Sequence, residues 1–181
     1  TIFPIISEAV RGVKITVGPP FYNQVNVPIG LALLALIGIG PVIAWRRATF
    51  SNLKKNFLKP VLAGIIAAVA LFPVIPLGSR TEIYTYVTFV LCVFVLTSIL
   101  TEFYKGMVSR MGLHDESAVG ALATVTWRNK RRYGGYIVHI GVVLIFAGIA
   151  GSQAYGTHTE KHLKIGESFE IRGYTITYEK L

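Results

Sequence analysis

The sequence lacks most of the groups on which soluble enzymes depend. Its single cysteine, Cys92, lies inside an apolar run, which excludes an internal disulfide, a CxxC redox pair and a cysteine zinc site. Only nine of the 181 residues are acidic, and no two of them form a paired-carboxylate site. Neither a nucleophile with its base nor a phosphate-binding loop is recognisable. The sequence therefore does not indicate hydrolytic or phosphoryl-transfer chemistry.

Apolar residues, by contrast, are abundant and occur in long runs. Hydrophobic residues make up 52% of the chain and charged residues only 15%, whereas about a quarter of a soluble domain is charged. A membrane-spanning helix needs about 20 mostly apolar residues. Four windows meet this requirement without an Asp, Lys or Arg in their middle: 25–45, 60–78, 83–104 and 134–154. We therefore predict an all-α polytopic membrane protein with about four transmembrane helices, forming a bundle over 25–154.

The basic residues outnumber the acidic ones, which gives a formal net charge of +9. Such an excess indicates either nucleic-acid binding or the flanks of membrane helices. Eleven of the 18 basic residues lie in the loops after the first and third windows: Arg46, Arg47, Lys54, Lys55, Lys59, Lys105, Arg110, Arg128, Lys130, Arg131 and Arg132. Because cytoplasmic loops are enriched in Lys and Arg, we predict that both loops are cytoplasmic and that no nucleic acid is bound.

Three further segments complete the predicted organisation. Residues 1–24 are expected to be periplasmic and to follow a helix absent from this chain, which opens on a short apolar stretch. Residues 115–127 have an acidic start and helical spacing, which predicts an amphipathic cytoplasmic helix near the membrane surface. In the tail 155–181, the apolar residues Phe169, Ile171, Tyr174, Ile176 and Tyr178 alternate with polar ones around Arg172-Gly173, which predicts a hairpin. We expect this tail to be the start of a small extracytoplasmic β domain, incomplete here.

His139 is the candidate for chemistry because it lies inside a spanning window. It follows Tyr133 by six residues, about 9 Å beyond the cytoplasmic boundary at 1.5 Å per residue. Ionisable groups at such depth usually face the bundle interior and have a partner or a function. A neutral imidazole is a good axial ligand for haem iron when its other nitrogen donates a hydrogen bond. From the residues alone, His139 could equally form a hydrogen bond to a neighbouring helix instead of binding haem iron.

Basic residues precede His139 on the same side of the membrane. Arg131 and Arg132 could meet haem propionates through charge-assisted hydrogen bonds, although the topology alone also requires positive charge there. The other histidines, His114, His158 and His162, are expected to be solvated loop or tail residues.

Residues 127–141 read WRNKRRYGGYIVHIG and closely resemble the RNRRRYGGYIVHLG signature of the CcmF family. Residues 16–23, TVGPPFYN, are similar to the family's SVGPPFFN motif, and residues 102–106, EFYKG, are similar to its EFxRG motif. These stretches occur in the order in which the family has them. The chain is therefore identified as resembling the C-terminal portion of CcmF, or of its nitrite-reductase maturation homologue.

The resemblance implies a role in attaching haem to cytochrome c at the bacterial inner membrane. In the family, the histidine at the position of His139 is an axial ligand to haem b. The second ligand and a tryptophan-rich WWD segment belong to an N-terminal part that this chain does not contain. The family takes haem from the chaperone CcmE and, with CcmH, attaches it to CxxCH thiols of apocytochrome c.

The implied activity is that of a haem lyase component, with quinol as a suggested electron source. A second class of function remains open from the residues. In it the chain is a membrane transporter or a structural subunit with no haem of its own, and His139 packs between helices or handles protons.

Overall fold

The computed structural model describes residues 2–13, 18–43, 50–114, 116–156, 162–171 and 173–179. Within these ranges the chain is mostly helical, with a small hairpin near its C-terminus. The helices are α1 (Phe3–Arg11), α2 (Pro19–Ile39), α3 (Phe50–Leu71), α4 (Arg80–Met111), α5 (Ala118–Arg128) and α6 (Lys130–Tyr155), and the strands are β1 (Ser168–Ile171) and β2 (Tyr174–Thr177).

Three of the helices are long and apolar enough to cross a membrane, judged over the described part of the chain. They are Phe21–Ile39 within α2, all of α4 and all of α6, and each overlaps one predicted window. The polytopic, mostly helical character predicted from the apolar windows is thus compatible with the structure, whereas four crossings are not established.

The window predicted at 60–78 does not correspond to a helix of sufficient apolar length. α3 ends at Leu71, ahead of Pro73 and Pro76, because proline lacks the amide hydrogen that continues a helix and disfavours helical geometry in the residue before it. The first half of α3 carries three lysines: Lys54, Lys55 and Lys59. Its apolar part is therefore shorter than the roughly 20 residues that span a bilayer.

α2 is displaced towards the N-terminus from the window predicted at 25–45. It begins at Pro19, after Gly18 in extended geometry, because a proline is well tolerated in the first turn, where its missing amide hydrogen would have no partner. α2 ends at Ile39 and is followed by a 3-10 turn at Gly40–Val42. The remainder of the predicted window, residues 44–45, lies outside the described residues.

α4 is the central helix, and α2, α3, α5 and α6 all pack against it. Its N-terminus is fixed by a capping box, in which Ser79 Oγ accepts from the amide of Glu82 at 3.2 Å and Glu82 Oε2 accepts from the amide of Ser79 at 2.7 Å. The buried core joins α4 to α2 and α6 through Leu34, Cys92, Val95, Ile99, Tyr136 and Val143. With 32 residues, α4 is about 48 Å long, which exceeds the bilayer core of about 30 Å.

α5 lies within the stretch that the sequence predicts to be an amphipathic helix. It begins at Ala118, where Ser117 Oγ accepts from the amide of Gly120 at 3.2 Å. It buries Ala121 and Val125 beside α4. The predicted acidic start at Asp115 lies outside the described residues.

The predicted C-terminal hairpin is confirmed as a two-stranded antiparallel sheet. β1 and β2 pair Phe169 with Ile176 and Ile171 with Tyr174. The turn between them contains Gly173 at a φ of 80°, a left-handed conformation that glycine adopts without strain.

Candidate functional site

His139 lies on α6 between two positions at which this helix contacts α4, one nearer the C-terminus of α6 and one nearer its N-terminus. On one side, Cys92 Sγ donates to the backbone oxygen of Val143 at 3.7 Å. On the other, the rings of Phe103 and Tyr136 lie 5.9 Å apart. Tyr136 and Val143 are buried, and His139, half-buried, is one helical turn from each. The imidazole therefore lies at the edge of the α4–α6 interface, on a helix that is long and apolar enough to cross a membrane.

The Nδ1 atom of His139 is buried and has no hydrogen-bond partner among the residues that the structure describes. The hydrogen bond between helices that the sequence left open is not formed at this atom. A buried polar atom without a partner costs about 1–3 kcal/mol, so such an atom in a folded protein calls for an explanation such as a missing ligand. His139 is thus chemically suited to complete its bonding with a group from outside the described residues.

Space next to His139 is provided by Gly135, one turn earlier on the same side of α6. A Cβ atom placed on Gly135 would meet no atom of the described chain within 4 Å. Gly134 and Gly141 also face open space, but at 100° per residue they lie on another side of the helix. Gly135 therefore leaves the side of α6 next to His139 without side-chain bulk.

Arg132 is held in a hydrogen-bond network that connects three helices. Its guanidinium pairs with the carboxylate of Glu102 on α4, and its Nε donates to the hydroxyl of Tyr136 at 2.9 Å. Glu102 is only 7% exposed and also accepts from Lys105 Nζ at 2.8 Å. Lys105 in turn donates to Asn56 Oδ1 of α3 at 2.8 Å. The sequence predicted Arg132 as an anion contact, and the structure gives it a partner within the protein.

Arg131 differs from its neighbour. It is exposed, and no described residue accepts a hydrogen bond from it or pairs with it. Arg131 is therefore the freer of the two arginines to meet an anionic ligand.

Two of the remaining histidines differ from the half-buried His139 in their exposure. His114 and His162 are exposed, and His158 lies outside the described residues. No group of three or more His, Cys, Asp or Glu that could hold a metal ion occurs in the described part of the chain.

Two sequence segments that carried the family resemblance contact each other. The ring of Phe103 lies 5.0 Å from that of Tyr133. A Cβ atom on Gly106 would lie 2.1 Å from the hydroxyl of Tyr133, so only glycine permits this close approach of α4 and α6. The sequence analysis did not predict this contact. The similarity of both segments to family motifs was the signal that could have suggested it.

A cavity of about 710 Å³ lies elsewhere, between α2, α4 and α6. Its lining combines polar and apolar side chains, among them Asn26, Arg80, Thr85, Phe146 and Gln153. His139 does not line it. The sequence analysis did not predict this cavity, because its lining residues come from three separate helices and form no motif.

Nearly the whole chain aligns with curated cytochrome c-type biogenesis proteins. It is 26% identical over 186 residues to CycK of Rhizobium meliloti (strain 1021), covering 99% of this chain and 25% of that protein. It is 25% identical over 183 residues to CcmF of Pseudomonas aeruginosa, with the same coverage. It is 28% identical over 184 residues to ccl1 of Rhodobacter capsulatus, covering 98% of this chain and 25% of that protein.

The chain is similar to the CcmF-type biogenesis proteins. The resemblance predicted from the three motifs is thereby confirmed over essentially the whole chain. The chain spans about a quarter of the length of these CcmF, CycK and ccl1 relatives. No family model matches the chain, and no solved structure does.

Proposed function

We propose that this chain is part of a haem-handling membrane subunit of cytochrome c maturation. Its relatives are named for cytochrome c-type biogenesis, which supports the general role. The haem assignment rests on the Nδ1 of His139, which is buried without a partner among the described residues. Gly135, one turn earlier, adds no side chain on that side of α6. This imidazole lies on a helix long enough to cross a membrane.

In this proposal, His139 would hold haem b, which would supply one-electron redox chemistry when bound. Gly135 leaves room for the ring, and Arg131 pairs with a propionate at the start of α6. Arg132 contributes mainly by fixing the first turn of α6 through Glu102 and Tyr136. The second iron ligand and the WWD segment come from the N-terminal part of a longer protein.

The partners follow from the same proposal. The haem to be attached arrives from CcmE, and attachment to the CxxCH thiols of apocytochrome c proceeds together with CcmH. The chain lies in the bacterial inner membrane, with the hairpin tail in the periplasm. The fourth crossing consists of the apolar end of α3 together with the residues that follow it up to 78. The exposed apolar side chains of α2, α4 and α6 support a lipid environment. As a lyase component, the protein would also pass electrons from quinol to haem.

An alternative function is that of a membrane transporter or structural subunit without its own haem. The cavity between α2, α4 and α6 favours this alternative, because a largely apolar space with a few polar side chains is where a solute would bind. In that case the role of His139 is packing or proton handling.

An absorption spectrum of the purified full-length protein separates the two functions. We expect a reducible b-type Soret band that is lost in His139→Ala and retained in the matched control His114→Ala, whose side chain is exposed outside the candidate spans. Correctly folded protein without haem, or a Soret band unchanged in His139→Ala, would support the transporter or structural alternative instead.

A further inference from the structure

The side of α5 that does not face the bundle is apolar. Ala121 and Val125 are buried beside α4, whereas Val119 is 80% exposed and Trp127 is 72% exposed. Leu122 is exposed as well. A surface helix next to water usually presents polar residues on its outer side. The outer side of α5 therefore has the composition of a helix that lies in the membrane interface.

The basic residues at this end of the bundle form two groups. The first group is paired with the carboxylates of Glu102 or Glu116 and consists of Lys105, Arg110 and Arg132. The second group consists of Arg128, Lys130 and Arg131, all exposed and none in an ion pair with another described residue. Arg128 also attracts the carboxylate of Glu116, so the uncompensated positive charge where α5 meets α6 is mainly that of Lys130 and Arg131.

Lys130 connects the uncompensated charge to the apolar side of α5. Its Nζ lies 3.6 Å from the centroid of the Trp127 ring, a cation–π contact. Lys130 is also the first residue of the candidate membrane span Lys130–Tyr155, and the end of a spanning helix is where it meets the level of the lipid headgroups. Tryptophan is enriched at that level, and clustered lysines and arginines there attract anionic lipids.

We propose that Val119, Leu122, Trp127, Arg128 and Lys130 form a binding surface for an anionic phospholipid, the α5 lipid face. The acyl chain packs on the three apolar side chains, and the phosphate pairs with the two cations. Two observations favour a lipid over a soluble anion: the apolar residues adjoin the cations, and the surface is continuous with the start of a membrane span. The proposal does not depend on haem binding.

The test is native mass spectrometry of the purified full-length protein after titration with phosphatidylglycerol or phosphatidylcholine. We expect the wild type to retain phosphatidylglycerol preferentially. Each cation near the surface contributes about 1 kcal/mol of attraction, which corresponds to about a fivefold change in affinity. Lys130→Gln should therefore weaken retention of phosphatidylglycerol about fivefold, and Arg128→Gln/Lys130→Gln about 25-fold. Trp127→Ala should weaken retention of both lipids.

Two matched variants and one competitor make the result decisive. Lys130→Arg keeps the charge and should bind like the wild type. Lys164→Gln makes the same change in net charge at an exposed position in the tail and should leave retention unchanged. Equal retention of the two lipids, or undiminished preference in Arg128→Gln/Lys130→Gln, would overturn the proposal. So would displacement of the lipid by inorganic phosphate at equal concentration, which would indicate a free-anion site.

Discussion

The guanidinium of Arg132 on α6 is paired with the buried carboxylate of Glu102 on α4. The two residues are 30 positions apart in the chain, so their contact fixes the position of α6 along the axis of α4. Lys105 and Asn56 extend the same connection to α3. This network lies one to two turns from His139 and thereby sets the position of the imidazole.

Arg132→Ala is expected to destabilise the protein because it leaves the carboxylate of Glu102 with only Lys105 as a partner. Removing one member of a fully buried pair costs about 3–5 kcal/mol. The Arg132 side chain is 56% exposed, so we expect less, about 1–2 kcal/mol. Arg131→Ala is the matched control and should change stability by less than about 0.5 kcal/mol. Chemical unfolding in detergent measures both, and equal losses would contradict the network.

Gly106→Ala should destabilise the contact between α4 and α6. The added methyl would overlap the Tyr133 hydroxyl and lie 3.1 Å from Val125 Cγ1, and such overpacking costs about 1–3 kcal/mol. Gly141→Ala, which faces open space, should be neutral or stabilising by up to about 1 kcal/mol because alanine favours helix. Adding Tyr133→Phe to Gly106→Ala should partly restore the lost stability. Thermal unfolding of the wild type, the two glycine variants, Tyr133→Phe and the double variant checks this.

Gly135→Leu should reduce haem binding, if the proposed function holds, by filling the space beside His139. Gly141→Leu is the matched control on the other side of α6 and should keep the Soret band of the wild type. Circular dichroism should report equal helix content in the two variants. Equal Soret amplitudes in Gly135→Leu and Gly141→Leu would show that the haem ring does not lie next to Gly135.

The pair of Arg110 and Glu116 should make the protein less stable in acid. Two hydrogen bonds from Arg110, at 2.8 and 2.6 Å, hold the pKa of the Glu116 carboxyl below its usual value. A lowered carboxyl pKa in the folded state stabilises the protein above the unfolded pKa of about 4.3, and this contribution is lost as the pH falls through the folded value.

Glu116→Gln should therefore flatten the acid limb of the stability curve while leaving its shape between about pH 5 and 7 unchanged. Unfolding midpoints of the wild type and the variant across pH 3–7 measure this. An acid limb that is equally steep in both proteins would show that Glu116 does not contribute.

The sequence predicted the type of most elements because apolar windows of about 20 residues have few alternatives to a membrane helix. It did not predict their boundaries well. α2 starts early because Pro19 can open a helix. α3 contains the single proline Pro60 but stops ahead of Pro73 and Pro76, which remove two amide hydrogens within four residues. These are local proline effects that hydropathy averages conceal.

His139 could be selected from the sequence because a histidine inside an apolar window is conspicuous. The partner of Arg132 could not be predicted from the sequence, because Glu102 comes close to Arg132 only when α4 packs against α6. Contacts of this kind depend on which helix faces pack, and no local pattern in either segment encodes them.

The close approach of Gly106 to Tyr133 also constrains how such a protein can change over time. A larger residue on one helix requires a smaller one on the other, so the two positions should vary together rather than independently among relatives. Exchanging α4 alone between this chain and a distant relative should therefore yield a poorly folded chimera, whereas exchanging α4 and α6 as a unit should preserve folding.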